Sequence, residues 1–257
     1  MRSVGATVVG TGFIGPVHVE AIRRLGHRVV GVLGSTSAKS RAAANELGIE
    51  KGYDSFEELL ADAAVEVVHL ASPNAAHFDQ CKRAIAAGKH VVCEKPLAPT
   101  STETAELVAL AAAHPALVTA VNYNVRFYPL CLQARGMVRS GEHGRVFHVT
   151  GSYLQDWLLF PADYNWRVED PSGLRAVADI GSTGSIWSPS SPGWKWKRCA
   201  LTCAPSTRRA ISRPAGARRS RRARVPRPKR WPSARKTTAR CWCGSPAALA
   251  GASRCRR

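Results

Sequence analysis

Gly10-Thr11-Gly12-Phe13-Ile14-Gly15 is the first segment of this chain whose residue types and spacing could hold a ligand. A GxGxxG run that follows a strand directly and opens a helix is a dinucleotide fingerprint. Gly10 permits a tight turn, Gly12 lets backbone approach a pyrophosphate, and Gly15 lets helix pack on strand, while the helix start supplies amides and positive potential. Phe13 and Ile14 line the same loop. Preference for NAD usually rests on an Asp or Glu about 20 residues further on, at the end of the second strand, where it holds the ribose hydroxyls. Here Leu33 is followed by Gly34-Ser35-Thr36-Ser37, with Lys39 and Arg41 nearby. No carboxylate stands there to repel a 2′-phosphate, and the hydroxyls of Ser35 and Thr36 with a cation could hold one. NADP is therefore favoured over NAD, although Lys39 and Arg41 are equally at home on a solvated helix face.

Two further clusters each follow an apolar run: Ser72-Pro73-Asn74 with His77, and Cys93-Glu94-Lys95-Pro96-Leu97. A lone Glu-Lys-Pro is ordinarily a charged turn. At the ligand edge of a dinucleotide-binding sheet, however, Lys95 can hydrogen-bond a substrate hydroxyl and reach the nicotinamide region.

These clusters need a scaffold that brings them to one edge. Near-continuous apolar runs at 6–9, 28–33, 65–71, 90–93 and 117–122 read as buried parallel strands. Between them, helical patterns occupy 17–25, 38–47 closed by Gly48, 56–62, 75–87 closed by Gly88, and 101–113. Ser55-Phe56-Glu57-Glu58 and Thr100-Ser101-Thr102-Glu103 read as capping boxes. Repeated strand–helix units predict an α/β fold, a Rossmann-type doubly wound parallel sheet over residues 1–125, with ligands at the carboxyl ends of its strands.

The composition changes at Ser182. Residues 1–182 hold 17 Lys+Arg against 18 Asp+Glu, whereas 183–257 hold 20 Lys+Arg and no carboxylate, so the net charge of +19 lies in the tail. That tail has five Ile, Leu or Val and no Phe, Tyr or Met, too little to build a core. The genetic code offers a test. If one nucleotide was lost near Ser182, Trp194-Lys195-Trp196-Lys197 read one base earlier becomes Glu, then Val or Met, then Glu, an amphipathic alternation. Under the same shift, Asp179-Ile180-Gly181-Ser182 can continue as His-Trp-Phe-Asp-Leu in place of Thr183-Gly184-Ser185-Ile186-Trp187. The chain is therefore expected to hold a Rossmann domain (1–125), the start of an incomplete α+β domain (126–182, first strand at 145–154), and a frameshifted, disordered basic tail (183–257).

Residues 1–182 carry a charge near neutral, which gives no electrostatic case for nucleic acid. A rival reading makes the Arg-rich, Trp-punctuated stretch 218–240 a nucleic-acid-binding arm. Cys81, Cys93 and Cys131 are odd in number and read as reduced cytosolic thiols, and Cys241-Trp242-Cys243 lacks the spacing of a zinc ribbon, so no metal is expected. No apolar stretch reaches the length of a membrane span and no signal segment opens the chain, so it reads as cytoplasmic.

Taken with Asn122-Tyr123-Asn124-Val125-Arg126-Phe127-Tyr128-Pro129 and Ala178-Asp179-Ile180-Gly181-Ser182, the glycine loop and the two edge clusters resemble the glucose-fructose oxidoreductase and inositol dehydrogenase (Gfo/Idh/MocA) family. The resemblance implies reversible hydride transfer between a nicotinamide and a hydroxyl-bearing carbon of a sugar, cyclitol or related polyol. It implies catalytic roles for Lys95 and Asp179, with Thr183 where the family carries His. It places Ser72, Pro73, Asn74, His77, Glu94, Lys95 and Asn122 with the glycine loop, Ser35 and Thr36 around the cofactor, and Arg126, Trp166 and Arg167 on the substrate side. Family members are often homo-oligomers. Thr183 in place of His would remove the proton acceptor, which leaves open a nucleotide-binding protein without catalysis.

Overall fold

The computed structural model of this chain describes residues 2–144. Within them, six strands form one parallel sheet in the order β3-β2-β1-β4-β5-β6: β1 (Gly5–Val9), β2 (Arg28–Leu33), β3 (Lys51–Gly52), β4 (Val67–Leu70), β5 (His90–Glu94) and β6 (Thr119–Asn122). The chain order reverses between β1 and β4, the crevice where doubly wound sheets bind ligands. The β1–β2 ladder shifts register between Ala6 and Thr7. Thr7 is fully buried there, and its hydroxyl donates to Gly31 O at 2.8 Å, so the irregularity leaves that carbonyl satisfied.

Two apolar layers cover the sheet. On one face Ala6, Val8 and Val32 pack with Val19 and Ile22 of α1 (Gly15–Arg24) and Ala44 of α2 (Ser37–Leu47). The larger layer joins Val9, Val68, Leu70, Val91 and Cys93 to α3 (Phe56–Ala61), α4 (His77–Ala86) and α5 (Ser101–Ala113). Helix starts follow local chemistry. Thr36 accepts the Lys39 N–H, Ser55 the Glu58 N–H, and Thr100 forms a reciprocal box with Glu103. The Ser55 box is not reciprocal: the Glu58 carboxylate accepts the amide of Asp54 at 2.8 Å instead of that of Ser55. Gly48 closes α2 at φ +60°.

Several element boundaries depart from the sequence reading. β3 is only two residues long and carries no branched apolar signal; it pairs with β2 through Gly31 and Val32. β4 begins at Val67 because the Val65 N–H closes a turn onto Asp62 O. A 3-10 turn (Asn74–Ala76) precedes α4, where sequence periodicity suggested helix throughout. Beyond β6, a 3-10 turn (Asn124–Phe127) leads to α6 (Pro129–Ser140), none of whose residues is buried. The compact unit containing the sheet runs to Ala134 before the chain enters a second unit. The expected strand at 145–154, Trp166, Arg167, Asp179, Thr183, the basic stretch 218–240 and the tail lie outside the described residues.

Candidate active site

Parallel registry brings four strand ends together. Val9 pairs with Leu70, Leu70 with Cys93, and Glu94 with Asn122, so the glycine loop, the Ser72 cluster, the Glu94-Lys95-Pro96 turn and Asn122 share one sheet edge. Gly10 sits at φ +106°, its N–H donating to Leu33 O at 2.8 Å, and a Cβ there would lie 2.3 Å from Ala71 O. A Cβ on Gly15 would meet Gly10 O at 2.2 Å, which makes glycine the residue that lets α1 close on the loop. Gly12 is different. A Cβ there meets nothing within 4 Å, so the position is exposed backbone open to an incoming group.

Helix α1 begins at Ile14 without a side-chain cap, unlike α2, α3 and α5. Pro16 has no N–H, so the first turn can offer a ligand the amides of Gly15 and Val17, and the positive end of the helix favours an anion. Open backbone at Gly12 and an uncapped helix start fit a dinucleotide pyrophosphate. Phe13 is 87% exposed beside it and Ile14 half-buried.

At the end of β2, Lys39 Nζ donates to Ser35 Oγ at 2.8 Å, which sets a cation and a hydroxyl side by side at an exposed position. Thr36 also stands there, but its oxygen accepts the Lys39 N–H as the α2 cap. Arg41 turns to Asp54 at 2.8 Å and is not available for that corner.

The two edge clusters hold residues of contrasting kinds. Lys95 is half-buried and is joined to Pro96 by a cis peptide bond. Pro73 is exposed and Asn74 buried, while Ser72 is half-buried and donates to Gln80 Oε1 at 2.6 Å. His77, expected at the cofactor, is fully buried, with Nδ1 2.8 Å from Pro96 O and Nε2 3.0 Å from Ser72 O. Its ring lies between two backbone carbonyls, to one of which its N–H donates. Glu94 is likewise turned inward: Oε1 accepts from Asn122 Nδ2 at 2.6 Å and lies 3.1 Å from His18 Nε2, and Oε2 accepts the Lys95 N–H at 3.2 Å. Burial, the largest single influence, pushes its carboxyl up. The hydrogen bonds from His18, Asn122 and the Lys95 amide, with the nearby His18, outweigh it and hold the group below the ordinary carboxylate value. Asn122 contributes through Glu94, and Arg126 is exposed beyond β6.

Sequence reasoning passed over His18 and His69. Their Nδ1 atoms lie 3.0 Å apart, the rings meet edge to face, and His18 is buried. Burial first, and then His18, bring His69 down to about 4, so it is neutral near pH 7. The only signal in the sequence was a polar ring on the inner stripe of α1 and another inside an apolar strand. Among the described residues no three His, Cys, Asp or Glu side chains are arranged to hold a metal ion, and no helix is long and apolar enough to cross a membrane. Cys81, Cys93 and Cys131 are free thiols.

Residues 4–123 match the family described as an oxidoreductase family with an NAD-binding Rossmann fold, GFO_IDH_MocA. The chain is 34% identical over 183 residues to a 1,5-anhydro-D-fructose reductase of Ensifer adhaerens, which covers 69% of this chain and 51% of the relative. It is 36% identical over 176 residues to an NADP(+) D-xylose 1-dehydrogenase of Haloferax volcanii, covering 68% of this chain and 53% of that protein. Among solved structures, a levoglucosan dehydrogenase in complex with NADH and levoglucosan superposes with a TM-score of 0.69 at 26% identity, over 72% of this chain and 53% of the other. The chain thus spans about half the length of the curated relatives it matches. Many dinucleotide-binding proteins share this strand order and glycine loop; the match over the whole sheet is narrower, and by it residues 4–123 belong to the Gfo/Idh/MocA oxidoreductase family.

Proposed function

We propose that this chain descends from, and in its first half retains the machinery of, a nicotinamide-dependent oxidoreductase that moves hydride between NAD(P) and a hydroxyl-bearing carbon of a sugar, cyclitol or similar polyol. The observation that carries the reading is the placement of half-buried Lys95 on the same sheet edge as the open backbone of Gly12. The amides at the α1 start and Gly12 would hold the pyrophosphate, and Lys95 would hydrogen-bond the substrate hydroxyl. When bound, the nicotinamide supplies the hydride chemistry. By resemblance, Asp179 would complete the reacting group and Arg126, Trp166 and Arg167 would serve the substrate side. The Lys39–Ser35 pair, with no carboxylate after Leu33, supports NADP over NAD. The relatives matched act on sugars by their names, in keeping with a small polyol or sugar substrate. We assign residues 1–125 to cofactor binding and 126–182 to the start of the substrate domain, in a soluble cytoplasmic protein.

The frameshift belongs to the same reading. A matched share of 69% of 257 residues is about 177 residues, close to the length ahead of the break at Ser182. With Thr183 where the family carries His, the chain as encoded binds the dinucleotide without turnover, since Thr cannot accept the hydroxyl proton; loss of such a base commonly costs about 10²- to 10⁴-fold in rate. One experiment tests both halves. NADPH and NADH are titrated by fluorescence into the chain as encoded and into a version with one nucleotide inserted after the Ser182 codon. Both should bind NADPH at least as tightly as NADH, and the repaired version alone should reduce NADP⁺ with a polyol and lose that activity in Lys95→Ala. Equal turnover by the unrepaired chain, or an unaffected Lys95→Ala, overturns the assignment.

A further inference from the structure

Lys95 stands between two residues that are each held by a buried histidine, one from each face of the sheet. From the α1 face, His18 Nε2 lies 3.1 Å from Glu94 Oε1, and the second oxygen of the same carboxylate takes the Lys95 N–H at 3.2 Å. From the α4 face, His77 Nδ1 lies 2.8 Å from Pro96 O and its Nε2 3.0 Å from Ser72 O. His18 is 6% exposed and His77 not at all. Asn122 on β6 adds a third contact, 2.6 Å to Glu94 Oε1. A half-buried lysine needs such support, because a flexible four-carbon stem has many rotamers and holds one orientation only if its backbone is fixed.

The contact between His18 and His69 gives the arrangement a direction. Two Nδ1 atoms 3.0 Å apart share one proton, since two N–H groups would clash and two lone pairs would repel. A carboxylate oxygen can only accept, so the 3.1 Å contact with Glu94 Oε1 requires N–H on His18 Nε2. His18 thus turns a donor to Glu94 and its other nitrogen to His69. Glu94 thus selects the tautomer of His18 and His69 meets the remaining nitrogen, in the way that outer hydrogen bonds orient functional imidazoles.

We propose that His18 and His77 are positioning residues for Lys95, His18 through Glu94 and His77 through Pro96, with His69 holding the other ring nitrogen of His18. That this matters for catalysis rests on the reading of Lys95 above; that the turn is so held does not. Amide hydrogen exchange of the full chain, read over residues 93–98 against β1 and α3, is the test. His18→Phe and His77→Phe should each speed exchange at the turn about tenfold while β1 stays protected, and His18→Gln, whose amide reaches Glu94, should restore it to within about threefold. Unchanged exchange in both Phe variants overturns the proposal, as does equal loosening in His18→Phe and His18→Gln, which would mark a packing role. Should His18→Phe not fold, the histidine ring ¹⁵N spectrum of the unaltered chain decides: Nε2–H on His18 supports the proposal, and an Nδ1–H tautomer alone overturns it. In the frame-repaired chain, slow turnover by His18→Phe with rescue by His18→Gln ties the turn to catalysis, whereas a loosened turn with full turnover indicts the role of Lys95 and not the positioning.

Discussion

Three glycines of one loop have different reasons for being glycine. Gly10 combines φ +106° with a carbonyl 2.3 Å from where a Cβ would stand, so strain and collision act together. Gly10→Ala is expected to destabilise the domain by at least ~2 kcal/mol. Gly12 has open space around it, so Gly12→Ala should leave urea unfolding within ~0.5 kcal/mol of the parent while weakening NADPH binding about tenfold, because the methyl stands where the ligand comes. Equal losses of stability in the two variants would show that Gly12 serves the fold and not a ligand. The histidines carry a parallel lesson. His77 was assigned to the cofactor from its place in a motif, yet its ring faces two backbone carbonyls; His18 had no motif of its own and touches the carboxylate next to Lys95.

At the scale of elements, helix starts divide by use. α5 buries only Leu107 fully and is closed at its start by Thr100, whose hydroxyl takes the Glu103 N–H at 3.2 Å while the Glu103 carboxylate takes the Thr100 N–H at 3.0 Å. With so little buried surface, the helix leans on its cap. Thr100→Ala should lower stability by about 1 kcal/mol in urea titration, and Thr100→Ser should recover most of it. A neutral Thr100→Ala would mean that packing through Leu107 and Leu110 holds the helix unaided. α1 has no such cap, nor has α4, and what sets α1 apart is the open backbone of Gly12 just ahead of it.

For the molecule as a whole, the response to acid follows from its buried ionisable groups. His69 is brought from 6.5 down to about 4, mainly by burial. The folded chain refuses a proton that the unfolded chain takes up, so nothing is lost above pH 6.5 and stability falls as pH drops from there toward 4, by about 3 kcal/mol. Asp62 acts lower. The Lys51 hydrogen bond first, then the Ala64 amide and Tyr53, bring it from 3.8 to about 2, so its contribution is present above 3.8 and disappears as pH falls through 2. Urea unfolding followed by circular dichroism should therefore show the first loss between pH 6.5 and about 4, and His69→Phe should flatten that limb while leaving the lower one. An unaltered limb in His69→Phe would assign the early loss to another group.

The glycine loop, the strand and helix alternation and the edge location of Lys95 were legible in the sequence because each depends on local pattern: apolar runs for strands, 3.6-residue spacing for helices, and turn residues between them. Even β4 and α4 were found, with their ends moved by a turn onto Asp62 and by a 3-10 start. The break in charge at Ser182 is also a property of sequence alone. What only the tertiary structure decided is which side chains meet. His18, His69, Glu94 and Asn122 are separated by up to 104 residues, and the strand order 3-2-1-4-5-6 and the registers of β4, β5 and β6 bring them together on one face. Spacing along the chain carries no trace of that meeting, because the contact is set by the sheet's registry and by which helix face packs on it.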